Sequence, residues 1–159
     1  MPEIFKAAEI LKTAIRIEEN GIVFYREAAN KFNKKKLQDI FNFLAEEDEK
    51  HRKIFEEMLS KAEQYEMVDS YPGEYEAYLR AFADEHVFSK EKTGGLMAKK
   101  VKDVKEAVQF GIEAELDSIN YYQEIKRFVP DYQEDAIEKI IEEERSHFLK
   151  LSDIKKTLK

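Results

Sequence analysis

The stretch EEDEKH at residues 46–51 returns as EEERSH at residues 142–147. The first copy places Asp48 three residues before His51, and the second copy has an acid and a histidine at the same spacing. On an α-helix, side chains three residues apart lie on one face. Each stretch therefore predicts a helix that presents a carboxylate and an imidazole side by side.

A second pair of similar stretches lies before these motifs. The sequence IEENGIVFYREAANKF at residues 17–32 resembles AELDSINYYQEIKRF at residues 114–128. The offset from Glu18 to Glu115 is 97 residues, and the offset between the two histidines is 96. Two copies of one helical hairpin are the simplest explanation.

Apolar residues spaced three and four apart predict four long helices. These helices cover about residues 2–32, 37–62, 101–129 and 131–158. Short links within the first pair and within the second make each pair an antiparallel hairpin. Pro130 cannot extend the third helix, and Asp131 is the expected N-cap of the fourth.

A different kind of segment, residues 63–100, separates the two hairpins. It has turn signals at residues 71–73 and 93–95, and a shorter helix is predicted over residues 74–87. We read it as a long crossover between the hairpins. The expected fold is therefore all-α, a four-helix bundle in one domain, 1–159, made of the hairpin 2–62, the crossover 63–100 and the hairpin 101–158.

Ionisable side chains interrupt all four apolar stripes near their middles. Four carboxylates facing one another in a low-dielectric core are very costly unless they are paired or protonated. Two divalent cations remove that cost, because carboxylate oxygens and imidazole nitrogens suit iron or manganese. The sequence therefore predicts a two-metal site with the ligands Glu18, Asp48, His51, Glu115, Glu144 and His147.

An acid three residues before a histidine also arises by chance on the solvated helices of an acid-rich chain. A polar core without metal is the alternative for the six residues. The third histidine, His86, has Ala83 at the acid position and is predicted to lie at the surface.

Two tyrosines and two small residues follow the predicted glutamate ligands. Tyr25 and Tyr122 lie seven residues beyond those glutamates, on the same faces. Their hydroxyls can hydrogen-bond the ligand carboxylates or supply an electron or proton, or their rings can simply fill the core. Gly21 and Ser118, one turn beyond the glutamates, leave space for a small oxidant or for close helix packing.

Composition excludes several classes of function. There is no cysteine, so disulfides, thiolate catalysis and Cys-ligated zinc or iron–sulfur centres are ruled out. The net charge of -7 argues against binding to nucleic acid. No stretch approaches the ~20 apolar residues of a membrane span, and the charged N-terminus does not resemble a signal peptide. We expect a cytoplasmic protein that binds neither nucleic acid nor membrane.

With these residues in hand, the chain resembles the rubrerythrin-like branch of the ferritin-like di-iron carboxylate superfamily. The resemblance covers roughly residues 5–62 and 101–158. It implies a ferritin-like bundle that holds two iron ions. By this resemblance, Glu18 and Glu115 are terminal ligands, and Asp48 and Glu144 bridge the two metals. His51 and His147 each complete the coordination of one metal.

The chain departs from the family pattern at three points. Asp48 stands where the second-helix motif usually has a longer glutamate. Ser118 stands where rubrerythrins have a further glutamate that takes part in a redox-linked ligand exchange. Finally, the absence of cysteine excludes the rubredoxin domain that rubrerythrins usually carry for electron supply.

The function implied by this resemblance is reduction of hydrogen peroxide at a di-iron site, a defence against oxidative stress. Electrons would come from a separate donor protein such as a rubredoxin, and the expected assembly is a homodimer. One alternative is a ferroxidase that oxidises ferrous iron with oxygen for storage or detoxification. Another is a non-enzymatic bundle whose metal is structural.

Overall fold

The computed structural model describes residues 7–62, 77–78, 81–82 and 92–158. Residues 77–78 and 81–82 are helical, whereas most of the predicted helix 74–87, including His86, lies outside the described residues. Within these ranges five helices have defined ends, namely α1 (Ala7–Lys31), α2 (Lys35–Ala62), α3 (Gly94–Lys100), α4 (Val104–Ile125) and α5 (Asp131–Thr157).

The helices form the two expected hairpins. α1 packs along α2, and α4 packs along α5. Only residues 32–34 separate the first two helices, which forces them to run antiparallel. The described ranges contain no strand, so the prediction of an all-α bundle is confirmed. None of the helices in these ranges has both the length and the apolar character that a membrane span needs.

Both ends of α4 and the N-cap of α5 differ from the prediction. α4 begins three residues late because Asp103 caps it, its side chain accepting a hydrogen bond from the Glu106 backbone N–H at 2.8 Å. Its last turn tightens into a 3-10 helix, Lys126–Phe128. Asp131 is not the N-cap of α5, because Pro130 occupies that position. Asp131 lies instead in the first turn, where its charge complements the helix dipole.

The turn predicted at residues 93–95 is wrong at Gly94 and Gly95, which are the first two residues of α3. Thr93 caps this helix by accepting a hydrogen bond from the Leu96 backbone N–H at 3.3 Å. The Gly94 N–H donates to Asn20 Oδ1 at 2.9 Å, and a β-carbon at Gly94 would overlap the Asn20 carbonyl oxygen. Glycine is needed here because α3 closes onto the backbone of α1.

The core consists of two apolar clusters with a polar layer between them. Along α1 the chain passes from the cluster around Leu11, through Glu18, to the cluster around Phe24. Along α2 the order is reversed, from Phe41 to Phe55. Each large apolar side chain that is fully buried contributes about 1.5–3 kcal/mol. The two clusters therefore provide stability on both sides of a layer that is itself unfavourable.

Candidate metal centre

The polar layer contains all six side chains predicted as ligands, and each is at most 5% exposed. Their potential ligand atoms fall into two groups, within each of which all atoms lie within 4.8 Å of one another. One group has Glu18 and His51, and the other has Glu115 and His147. Asp48 and Glu144 belong to both groups. The structure thus brings the six residues together as two adjoining half-sites that share two carboxylates.

Glu144 lies between the two histidines. One of its carboxylate oxygens is 3.1 Å from His51 Nδ1, and the other is 3.1 Å from His147 Nδ1. Glu18 and Glu115 approach the same two nitrogens from the first hairpin and the second, at 3.6 Å and 3.7 Å. Both imidazole rings therefore turn Nδ1 toward the carboxylates.

The pKa values of the buried acids in this layer are shifted in opposite directions. Burial, reinforced by the charges of neighbouring carboxylates, raises the pKa of Asp48 and Glu115 well above the usual range. Burial also acts to raise the pKa of Glu144, but hydrogen bonds from Glu115 and both histidines outweigh it and hold that pKa well below the usual range. In the absence of cations, bound protons reduce the repulsion among these buried acids.

The two histidines are shifted toward the charged form. Burial acts to lower the pKa of His147, but hydrogen bonds to Glu115 and Glu144 raise it to about 10. The charge of Glu18 and a hydrogen bond to Glu144 likewise outweigh burial and raise the pKa of His51. Each imidazolium occupies a place where a cation stabilises the carboxylates, which is the electrostatic requirement for a metal site.

A cavity of about 10 Å³ lies among these groups. Four carboxylates line it together with Gly21, Tyr25 and Ser118. That volume is close to the space needed by one water molecule. Carboxylate oxygens around so small a space, with one imidazole in each half-site, suit iron or manganese, whereas soft metals prefer thiolates. The residues present therefore fit the predicted pair of cations.

Each tyrosine hydrogen-bonds a glutamate of the opposite hairpin. The Tyr25 hydroxyl donates to Glu115 Oε1 at 2.8 Å, and the Tyr122 hydroxyl donates to Glu18 Oε1 at 2.5 Å. Burial, followed by the charge of the bonded glutamate, raises the pKa of both phenols well above the usual range. Both tyrosines therefore remain neutral donors that orient the two glutamates.

The comparisons with known proteins agree with this geometry. A family model described as rubrerythrin matches residues 9–155. The chain belongs to the rubrerythrin family. A solved structure from Thermotoga maritima, described as a ferritin-like diiron-carboxylate protein, is similar over 96% of each chain with 27% identity and a TM-score of 0.70. Among curated proteins none matches.

Two glutamates that the sequence did not single out complete this rubrerythrin-family site. Glu143 Oε2 is 2.7 Å from Nε2 of His51, and Glu47 Oε2 is 4.0 Å from Nε2 of His147. We call Glu47 and Glu143 the outer carboxylates. Each faces the histidine of the other hairpin, so no pattern within one helix could reveal this arrangement. The available signal was the repeat itself, because each immediately precedes a predicted ligand acid.

Gly21 provides the space that Asp48 occupies. A β-carbon at this position would overlap Asp48 Oδ2, whereas the nearest other atom is the Asp48 carboxyl carbon at 3.4 Å. In this family member, therefore, the shorter acid leans toward α1 across a position that has no side chain. Ser118, the corresponding residue of the repeat, donates its hydroxyl to the Ala114 carbonyl oxygen at 2.9 Å.

Replacing Gly21 with alanine is expected to weaken metal binding about 10–100-fold, the range seen when the support of a ligand is removed. Because Asp48 belongs to both half-sites, both should weaken. The metal-free protein should keep its stability to within about 1 kcal/mol, since alanine is the better helix former. Isothermal titration with Mn²⁺ measures the first effect and urea unfolding the second.

The matched control is Gly95→Ala, because a β-carbon there meets its nearest atoms at an ordinary 3.8 Å. Unchanged Mn²⁺ affinity in Gly21→Ala would show that Asp48 does not depend on this space.

Proposed function

We propose that the chain binds two iron ions and reduces hydrogen peroxide to water with electrons from a separate donor protein. Each peroxide takes up two electrons and two protons and yields two water molecules. The bound irons would supply the two electrons for cleavage of the O–O bond. Family membership, the six clustered ligand groups and their charges support this proposal.

The size of the cavity limits which substrates can reach the ligand groups. Its volume of about 10 Å³, close to that of one water molecule, excludes an organic substrate and favours the smallest oxidants. Its lining includes four carboxylates and Tyr25, so a molecule held there lies beside groups that can hold or exchange protons.

The chain's own residues have distinct roles in this proposal. The four carboxylates balance the charge of the cations, and the two histidines give each half-site one nitrogen ligand. Tyr25 and Tyr122 keep Glu115 and Glu18 in place through their hydrogen bonds. The sequence has no cysteine and therefore no thiolate-ligated centre of its own, so re-reduction calls for an external donor.

Stopped-flow oxidation of anaerobically iron-loaded protein tests the proposal. We expect two irons per chain, oxidation by peroxide at least about tenfold faster than by oxygen, and re-reduction by a rubredoxin. Faster oxidation by oxygen, with ferric iron accumulating beyond two per chain, would support the ferroxidase instead. Fewer than two metals per chain would contradict both functions.

Particle size separates the remaining alternatives. We propose a homodimer, and solution scattering of iron-loaded protein measures the assembly directly. A particle no larger than a dimer would exclude self-contained iron storage, because storage needs a cage.

Replacing Tyr122 with phenylalanine distinguishes a hydrogen-bonding role from simple core filling. The change leaves Glu18 without its buried donor, and we expect the metal-free protein to lose about 1–3 kcal/mol of stability. Iron should still bind, while oxidation by peroxide slows about tenfold or more. Urea unfolding and stopped-flow absorbance measure the two effects.

The control is Tyr121→Phe, whose hydroxyl is also buried but makes a long bond of 3.4 Å to the Ile10 carbonyl oxygen. Equal effects of the two variants would indicate that Tyr122 only fills the core.

A further inference from the structure

The two half-sites differ in what faces the outer nitrogen of each histidine. His51 Nε2 has Glu143 at 2.7 Å, a hydrogen-bond distance. The corresponding distance from His147 Nε2 to Glu47 is 4.0 Å, which is too long for a hydrogen bond. The Phe43 ring also packs nearly perpendicular to the His147 ring, with ring centroids 6.0 Å apart. The inner groups repeat almost symmetrically, but this outer contact does not.

Lys50 accounts for the difference. Its Nζ donates to Glu47 Oε1 at 2.7 Å, one helical turn along α2. Glu47 is thus held by a cation on its own helix rather than by the histidine across the bundle. Lys50 also lies within reach of the charge of Glu143, but its hydrogen bond is to Glu47.

The internal repeat supplies a comparison within the same molecule. Lys50 precedes His51 just as Ser146 precedes His147. Ser146 is exposed and uncharged, so the position that holds Lys50 in the first copy offers no amine to Glu143 in the second. Glu143 is accordingly the outer carboxylate that reaches its histidine.

We infer that Lys50 makes the two metal positions unequal, so that the half-site of His51 fills first and the half-site of His147 fills second and more weakly. This inference rests on the proposed two-metal site and names Lys50 as a positioning residue. A carboxylate bonded to the outer N–H of a histidine ligand fixes its tautomer and raises its basicity. His51 has that support, and Lys50 withholds it from His147.

The consequence is a site with one retained ion and one that exchanges more readily. The chain would hold a single cation at limiting metal supply and complete the pair only at higher concentration. Since reduction of peroxide takes two electrons, the second position would then control how much of the protein is active.

Titration of the metal-free protein with Co²⁺, followed by its visible absorption, tests this order. The wild type should bind in two steps of different affinity. Lys50→Ser copies the second repeat into the first, frees Glu47 and should tighten the weaker step on the order of threefold to tenfold. Ser146→Lys makes the reciprocal change and should weaken the stronger step by a similar factor.

The control is Lys53→Ser, which removes the same charge from an exposed position of the same helix and should change neither step. Lys50 is 69% exposed, and Ser146 is also exposed, so none of these variants disturbs the core.

Proton NMR of the Co²⁺ protein identifies which histidine changes. A hydrogen-bonded imidazole N–H exchanges slowly with water, so we expect one shifted, slowly exchanging N–H in the wild type and two in Lys50→Ser. Two Co²⁺ per chain with both steps unaffected by the swaps would overturn the role of Lys50 and leave the proposed function standing. Fewer than two Co²⁺ per chain in the wild type would overturn both.

Discussion

Replacing Glu18 and Glu115 together with glutamine should abolish binding of the metal pair and leave the metal-free protein at least as stable as the wild type. Burial raises the pKa of both acids, which means that the folded protein disfavours their charged forms. Glutamine removes that penalty and still accepts the hydrogen bonds from Tyr122 and Tyr25. It offers metals only a neutral oxygen, so each half-site loses one charged ligand.

Loss of function and gain of stability together distinguish a metal site from a polar core. If these acids served only packing, the change would be nearly neutral in every measurement. Metal analysis by mass spectrometry, and thermal unfolding in the presence of a chelator, measure the two effects. The matched control is the pair Glu19→Gln and Glu113→Gln, which removes the same charge from exposed neighbouring positions. Two tightly bound metals in the Glu18/Glu115 variant would contradict the prediction.

The sequence predicted the bundle and the six clustered residues because two periodicities reinforce one another. A buried stripe must be apolar, so an acid such as Glu18 within it is conspicuous. The repeat then relates each acid to a second copy. The tyrosines were harder, since Tyr25 follows Glu18 in sequence yet bonds Glu115. Within one helix the spacing shows which face a side chain occupies but not which partner it meets.

The features that the sequence did not reveal depend on contacts between hairpins or on local competition. Glu143 looks like one acid in a run of three, and only the fold brings it to His51. The first residues of two helices also differ from the prediction, for a related reason. Asp103 caps α4 three residues later than apolar spacing suggests, and Thr93 caps a short helix that this spacing did not predict. From sequence alone Gly94 resembled a turn residue. Its close approach to the backbone of α1 is a tertiary contact that the local sequence does not show.

The departure at Asp48 acquires a physical explanation from the structure. An aspartate is one methylene shorter than the glutamate usual in the family, yet its carboxylate still belongs to both half-sites. It reaches them beside Gly21, where the first helix has no side chain to exclude it. The short acid and the glycine are therefore best regarded as one pair, and a glutamate at position 48 would have to find another path.

Stability should fall with rising pH in the metal-free protein but much less in the metal-loaded protein. The pKa of His147 is raised from 6.5 to about 10 by its bonds to Glu115 and Glu144, against the effect of burial. A raised pKa stabilises the fold fully below pH 6.5, and this contribution is lost as the pH rises through 10. The raised pKa values of Asp48 and Glu115 likewise make stability fall as the pH rises, beginning at lower pH. The lowered pKa of Glu144 acts oppositely, but only in acid.

Bound metal opposes this loss of stability at high pH. Cations take the place of the protons and bind more tightly as the ligands lose their protons. Between about pH 6 and 9 we therefore expect the melting temperature to drop by on the order of 10 °C in a chelator. With excess Mn²⁺ the drop should be much smaller, so the gap between the two curves should widen with pH. Differential scanning calorimetry at several pH values measures both curves. The Glu18/Glu115 double glutamine variant should show little widening, since it lacks the metal pair. Parallel curves for the wild type would mean that protons and cations do not compete for this layer, and the electrostatic basis of the metal centre would then be wrong.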